Sequence, residues 1–143
     1  MSVARLYTPQ LLGLTVELAA WPPIENLPLH GTARSTTCGS TVGIDLALDS
    51  AGAIDTLGLR VRACAVGQAA AAIFARHAVG KDLAAISLAH DRIGCWLEAE
   101  APIADWPELG LLAAAREFPG RHGAILLPWK AAIAALSTGP AAS

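Results

Sequence analysis

The sequence predicts an α+β fold: an N-terminal helix, a three-stranded antiparallel sheet, then several helices packed on one face of that sheet. Three observations carry this. Val42, Ile44, Leu46 and Leu48 alternate with Thr41, Gly43, Asp45 and Ala47, the period of a half-buried strand. The same alternation returns in Leu57, Leu59, Val61 and Ala63, after the turn-forming run Asp49-Ser50-Ala51-Gly52, so the two segments form a hairpin. Beyond Cys64 the pattern becomes alanine-rich and helical.

Thr8 can cap a first helix with Pro9 at its first position, and the Leu11–Leu18 region then carries it to about Ala20. Trp21 to Pro28 holds three prolines and reads as an irregular linker. Leu29 to Ser35 is the third, weaker strand. Gly67 to Val79 reads as a helix ended by Gly80. Short helices are expected over Lys81–Ile86, His90–Glu98 and Pro107–Arg116, and Phe118-Pro119-Gly120 breaks the chain. A last helix covers Leu127–Leu136 with Pro128 in its first turn. Helices following strands in this order place the helices on one sheet face. Residues 1–143 are expected to form a single domain.

The 54% hydrophobic content is high, yet aromatic residues make up only 5%, so the core should be aliphatic and finely packed. The net charge of −2 comes without a basic block, which argues against a nucleic-acid footprint. The most apolar run, Ala63 to Ala75, contains Gly67 and Gln68 and is too short to span a bilayer. Three cysteines, an odd number, suit a reducing compartment better than a disulfide framework. The expectation is a cytoplasmic protein with no membrane segment.

Cys38 precedes the first strong strand, and Cys64 follows its hairpin partner. Antiparallel pairing therefore brings both cysteines to one edge of the sheet. Cys64 also begins a helix, where the positive end of the macrodipole favours negative charge. Two thiolates at one edge are half of a soft-metal or iron–sulfur site. A lone cysteine is usually a small buried hydrophobe, and Cys38 and Cys64 form no CxxC pair, so the spacing alone is a weak signal for metal. Cys95, in a helical stretch beside Trp96, reads as a packed helix residue. His30, His77 and His90 lack ligand spacing and suit surface or capping roles. Asp45, Arg60 and Arg62 fall on the polar phase of their strands and are expected in solvent. Trp21, Trp96, Trp106 and Trp129 should anchor packing.

Three motifs carry a resemblance. They are Gly31-Thr-Ala-Arg-Ser-Thr-Thr-Cys38-Gly39 before a strand, Arg60-Val-Arg-Ala-Cys64-Ala-Val-Gly-Gln-Ala-Ala-Ala-Ala at a strand-to-helix junction, and Phe118-Pro-Gly-Arg121-His-Gly-Ala124-Ile-Leu-Leu-Pro-Trp129-Lys130-Ala131. In order and spacing they resemble the motifs of the IscU/SufU/NifU N-terminal-domain family of iron–sulfur cluster assembly scaffolds, and the Phe-Pro and Trp-Lys-Ala elements lean towards the SufU branch. The resemblance implies a SufE/NifU-like fold and a non-enzymatic scaffold. It implies an iron–sulfur cluster, iron or zinc held by Cys38 and Cys64, and a cysteine desulfurase or another assembly protein as partner.

The chain departs from that pattern at two ligand positions. The family's Cys-Gly-Asp is here Cys38-Gly39-Ser40, and its third cysteine falls on Ala124, with the neighbouring histidine of the IscU version on Gly123. Two thiolates do not fill a tetrahedral site. His122 is the candidate third metal ligand, and a homo-oligomer pooling two cysteines per subunit is another way to complete the set. The alternative reading is a cluster-free relative that acts through protein contact. Nucleophilic or sulfur-relay chemistry at Cys64 ranks last, because no Cys–His–Asp constellation accompanies it.

Overall fold

A computed structural model describes residues 6–37 and 39–138. Strands β1 (Leu29–Arg34), β2 (Thr41–Leu48) and β3 (Ile54–Arg62) form one antiparallel sheet in the order β1-β2-β3. The hairpin turn follows from its residues. Asp49 Oδ1 accepts from the backbone N–H groups of Ala51 and Ala53 at 2.9 and 3.0 Å, and Gly52 takes a φ of +84°, a region that suits glycine. Register then places Thr41 opposite Arg62 and Asp45 opposite Gly58.

Helix α1 (Pro9–Glu17) starts where Thr8 Oγ1 accepts from Leu11 N at 3.1 Å, and a 3-10 turn continues it over Leu18–Ala20. Helix α2 (Ala65–Ala78) lies at the centre of the molecule. Ala69 to Ala72 are fully buried, and their small side chains let α1, the C-terminal helix and the sheet approach on several sides. Helix α4 (His122–Ser137) packs across β1 and β2. Its approach is close: a Cβ on Gly31 would collide with the Ala131 carbonyl oxygen and lie 2.5 Å from Ala135 N. The aliphatic core has one aromatic knot. Phe74 stacks on Trp106 with ring centroids 5.7 Å apart, and Trp129 meets both edge-on at 5.4 and 5.2 Å. Such pairs contribute about 0.5–1.5 kcal/mol each beyond burial.

The helical half corrects three sequence boundaries. The two short helices expected over Lys81–Ile86 and His90–Glu98 are one helix, α3 (Leu83–Leu97), capped by Asp82 Oδ1 on Ala85 N at 2.9 Å. Ser87, Leu88 and Ala89 contain no breaker, so the helix runs through. The helix expected from Pro107 is a 3-10 segment over Leu109–Glu117, preceded by Glu108 in the left-handed region at φ +73°. Helix α4 begins five residues before Leu127, which puts Pro128 inside it rather than in its first turn. Gly123 sits in the first turn of this helix because of a close contact: a Cβ there would stand 2.8 Å from Ser35 Oγ.

Asp45 is the main correction on the sheet. It lies on the polar phase of β2, yet it is 1% exposed. The linker after α1 straps down over it. Leu59 N donates to the Trp21 carbonyl at 3.0 Å, and the strap then crosses Gly58, where a Cβ would meet Pro22 O at 2.5 Å and Ile24 N at 2.8 Å. A side chain at position 58 would lift the strap and open Asp45 to water.

Candidate functional site

Three chain segments meet at the edge of the sheet where the Thr41–Arg62 pair ends. The first is the β1–β2 connection, closed by Ser35 N on the Ser40 carbonyl at 2.8 Å and Gly39 N on the Ser35 carbonyl at 3.0 Å. The second is the start of α2. Cys64 is its N-cap in extended conformation, its carbonyl accepts from Gln68 N at 2.9 Å, and Gln68 Nε2 donates to the Ala63 carbonyl at 2.9 Å. The third is the start of α4. Gly123 abuts Ser35 and Thr37, and a Cβ on Gly67 would lie 3.4 Å from the Ala124 Cβ and 2.7 Å from the Ala63 Cβ. The Gly67 cradle thus holds Ala124 against the first turn of α2.

This convergence places the residues of the three motifs together. Cys64 is half-buried at the rim of the core. Ser40 and Ala124, the two departures from the ligand pattern, are both buried; Ser40 closes the β1–β2 connection and Ala124 lies against Gly67 in the first turn of α2. Cys38, the other cysteine candidate, lies outside the described residues. Its chain neighbours Thr37 and Gly39 belong to the β1–β2 connection.

His122 has other engagements. Its Nε2–H donates to the Arg116 carbonyl at 3.0 Å, and Nδ1 lies 3.6 Å from Glu98 Oε1. The ring lines a groove of about 440 Å³ between α3 and α4, together with His90, Cys95 and Glu98. Cys95 is exposed there rather than packed, because the sequence period does not show which face of α3 meets α4. Among the described residues, no three His, Cys, Asp or Glu side chains come together as a metal-binding group.

The outer sheet face carries a charge network that sequence reading missed. Asp45 accepts from His30 Nδ1 at 2.7 Å, from Ile24 N at 3.0 Å, and from Arg60 Nη1 at 3.1 and 3.0 Å on its two oxygens. Burial alone would raise the Asp45 carboxyl, but the His30, Ile24 and Arg60 hydrogen bonds together outweigh it and hold the group below its ordinary value. The same pairing with Asp45 raises Arg60. Period two in β1 and β3 could have signalled part of this, since His30, Arg34, Arg60 and Arg62 share a phase. The linker strap that closes over Asp45 leaves no such trace.

No family model matches the chain, and no curated protein matches it. Solved structures do. A nitrogen-fixing NifU-like protein (N-terminal) from Brucella abortus superposes with a TM-score of 0.85 at 23% identity, covering 94% of each chain. A protein described as an iron–sulfur cluster assembly scaffold for the SUF system, FiSufU from thermophilic Fervidobacterium islandicum AW-1, superposes at 0.80 and 19% identity, covering 94% of this chain and 99% of that one. A hypothetical protein gives 0.74 at 17% identity, covering 90% and 97%. At these identities the likeness is one of fold, and the chain has the α+β architecture that the NifU-like N-terminal domain shares with the SufU scaffold.

Proposed function

We propose that this chain, as one domain, is a non-enzymatic, scaffold-type carrier in iron–sulfur cluster assembly. Its cargo is iron, zinc or an iron–sulfur cluster held by Cys38 and Cys64. The observation that supports this reading most is the convergence of the three motif segments at one sheet edge, within a fold shared with scaffold structures. Cys64 would contribute a thiolate at the N-terminus of α2, where the helix dipole favours negative charge. Cys38 would contribute the second. Two positions of a tetrahedral set then remain for a small thiol, a second copy of the chain, or His122. His122 would first have to leave the Arg116 carbonyl. A cysteine desulfurase or another assembly protein is the proposed partner, and the cytoplasm the proposed location. Among the described residues, no helix is long and apolar enough to cross a membrane.

A second reading rests on Ser40 and Ala124. Both are buried, and neither supplies a thiolate or carboxylate. A cluster-free relative acting as an interaction or regulatory partner in the same pathway fits that pair.

Metal analysis of protein purified without oxygen separates the two. Under the first reading, metal bound per chain falls to background in Cys38→Ala and in Cys64→Ala. Ala124→Cys, which adds a thiol against the first turn of α2, raises zinc affinity by roughly tenfold or more. Metal content indifferent to both cysteine substitutions would leave the cluster-free reading standing.

A further inference from the structure

The outer face of the sheet has two unlike ends. At one end Asp45 satisfies His30 and Arg60, and Arg60 also reaches Glu25 Oε1 at 3.4 Å. At the other end, the transverse row Arg34–Thr41–Arg62 carries two arginines and no carboxylate. Among the described residues, neither Arg34 nor Arg62 forms an ion pair or a side-chain hydrogen bond. Both are exposed. They line a groove of about 510 Å³ with Thr32, Thr41, Gly43 and Arg60. Gly43 keeps its floor low: a Cβ there would already touch Arg60 and Thr32 at 3.7 Å.

We infer that this groove docks an acidic, extended segment of a partner protein. Charge complementarity is the first support. On a chain of net charge −2, adjacent arginines without counter-charges form a local positive field that attracts carboxylates. Arg60 shows in place how this face takes them, since one guanidinium nitrogen bridges both oxygens of Asp45. Spacing is the second. Arg34 and Arg62 stand two strand spacings apart, about 10 Å, and Arg60 and Arg62 about 7 Å apart along β3. Same-face side chains of an extended peptide recur at about 7 Å, so carboxylates at alternate positions come within reach of the long side chains of both Arg34 and Arg62, while Arg60 keeps Asp45 and Glu25. A lone small anion meets one or two guanidiniums and leaves most of the groove empty. The threonine hydroxyls of Thr32 and Thr41 give the rim donors and acceptors for a peptide backbone. The Thr41–Arg62 pair is also the last before Cys64, so a partner seated here stands over the cysteine edge. The inference holds whether or not Cys64 carries cargo.

A fluorescein-labelled peptide with glutamate at alternate positions, Gly-Glu-Ser-Glu-Ser-Glu-Gly, tests this by fluorescence anisotropy at low ionic strength. Saturable binding is expected. Arg34→Ala combined with Arg62→Ala should weaken it at least about tenfold, with an unchanged circular dichroism spectrum. Arg62→Glu should abolish it and restore binding of the same peptide with lysine in place of glutamate. Arg92→Ala, on the exposed surface of α3, should change nothing. The inference falls if binding does not saturate, or if the double substitution leaves it intact. It falls equally if inorganic phosphate at matched charge displaces the peptide fully, or if a labelled single-stranded oligonucleotide binds more tightly than the peptide.

Discussion

The two ends of the outer sheet face are built from the same materials, strand arginines and short polar side chains, and end in opposite states. Around Asp45 every charge has a partner and the linker seals the carboxylate from water. Around Thr41, Arg34 and Arg62 stand in solvent without counter-charges among the described residues. A paired charge under cover is a structural element, because breaking it leaves a charge that water cannot reach. An unpaired charge in solvent contributes little to stability, so its arrangement answers to something outside the chain. The edge that carries Cys64 adjoins the second end, so the groove inferred to take an acidic segment lies apart from the part of the sheet that holds the fold.

The largest expected effect falls at the closed end. Asp45→Ala removes the acceptor of His30, Ile24 N and Arg60 at once; the half-exposed His30 and Arg60 regain water, the Ile24 N–H under the strap does not, and the loss should be about 2 kcal/mol of unfolding free energy. The urea midpoint should drop with little change in slope. A loss below about 0.5 kcal/mol would show that the strap and its carboxylate are dispensable, and the contrast between the two ends would collapse.

A smaller effect follows with pH. The Asp45 carboxyl is depressed in the folded state, so its contribution is full above the ordinary aspartate range, about pH 4. It is lost as pH falls through the lower folded value. Asp45→Asn keeps the acceptor for Ile24 N but cannot titrate. The stability gap between the parent protein and Asp45→Asn should therefore narrow below pH 4. A gap that stays constant down to pH 2.5 would assign the role of Asp45 to shape rather than charge.

The same contrast explains what could be read in the sequence. The hairpin was legible because period-two alternation and an Asp-to-Gly turn are local signals, and they agree with the observed register. The start of α1 was legible from Thr8 and Pro9. The start of α4 was not: Pro128 reads as a first-turn proline, which sets the helix start too late, and only the contact with Ser35 shows why a glycine stands at position 123. The continuity of α3 was missed because two halves of one helix each satisfied a short pattern. At the candidate site, Cys64 at the head of α2 followed from the strand-to-helix switch. The burial of Asp45 did not, since it depends on a proline-rich linker folding back across twenty-one residues. The engagement of His122 with Arg116 and Glu98 was equally hidden, because nothing local fixes which groove a ring at a helix start will face.

The smallest expected effect is the most telling. Arg34→Ala and Arg62→Ala, singly or together, should move the thermal midpoint by no more than about 2 °C, since exposed side chains without partners leave nothing unsatisfied when removed. A fall of more than about 5 °C in the double variant would mean that these arginines already pair within the fold, and the open end would then resemble the closed one. A steady midpoint, with binding of the acidic peptide lost, separates recognition from stability at one row of the sheet. That row ends two residues before Cys64, so whatever the arginines recruit is brought to the thiol and not to the buried carboxylate.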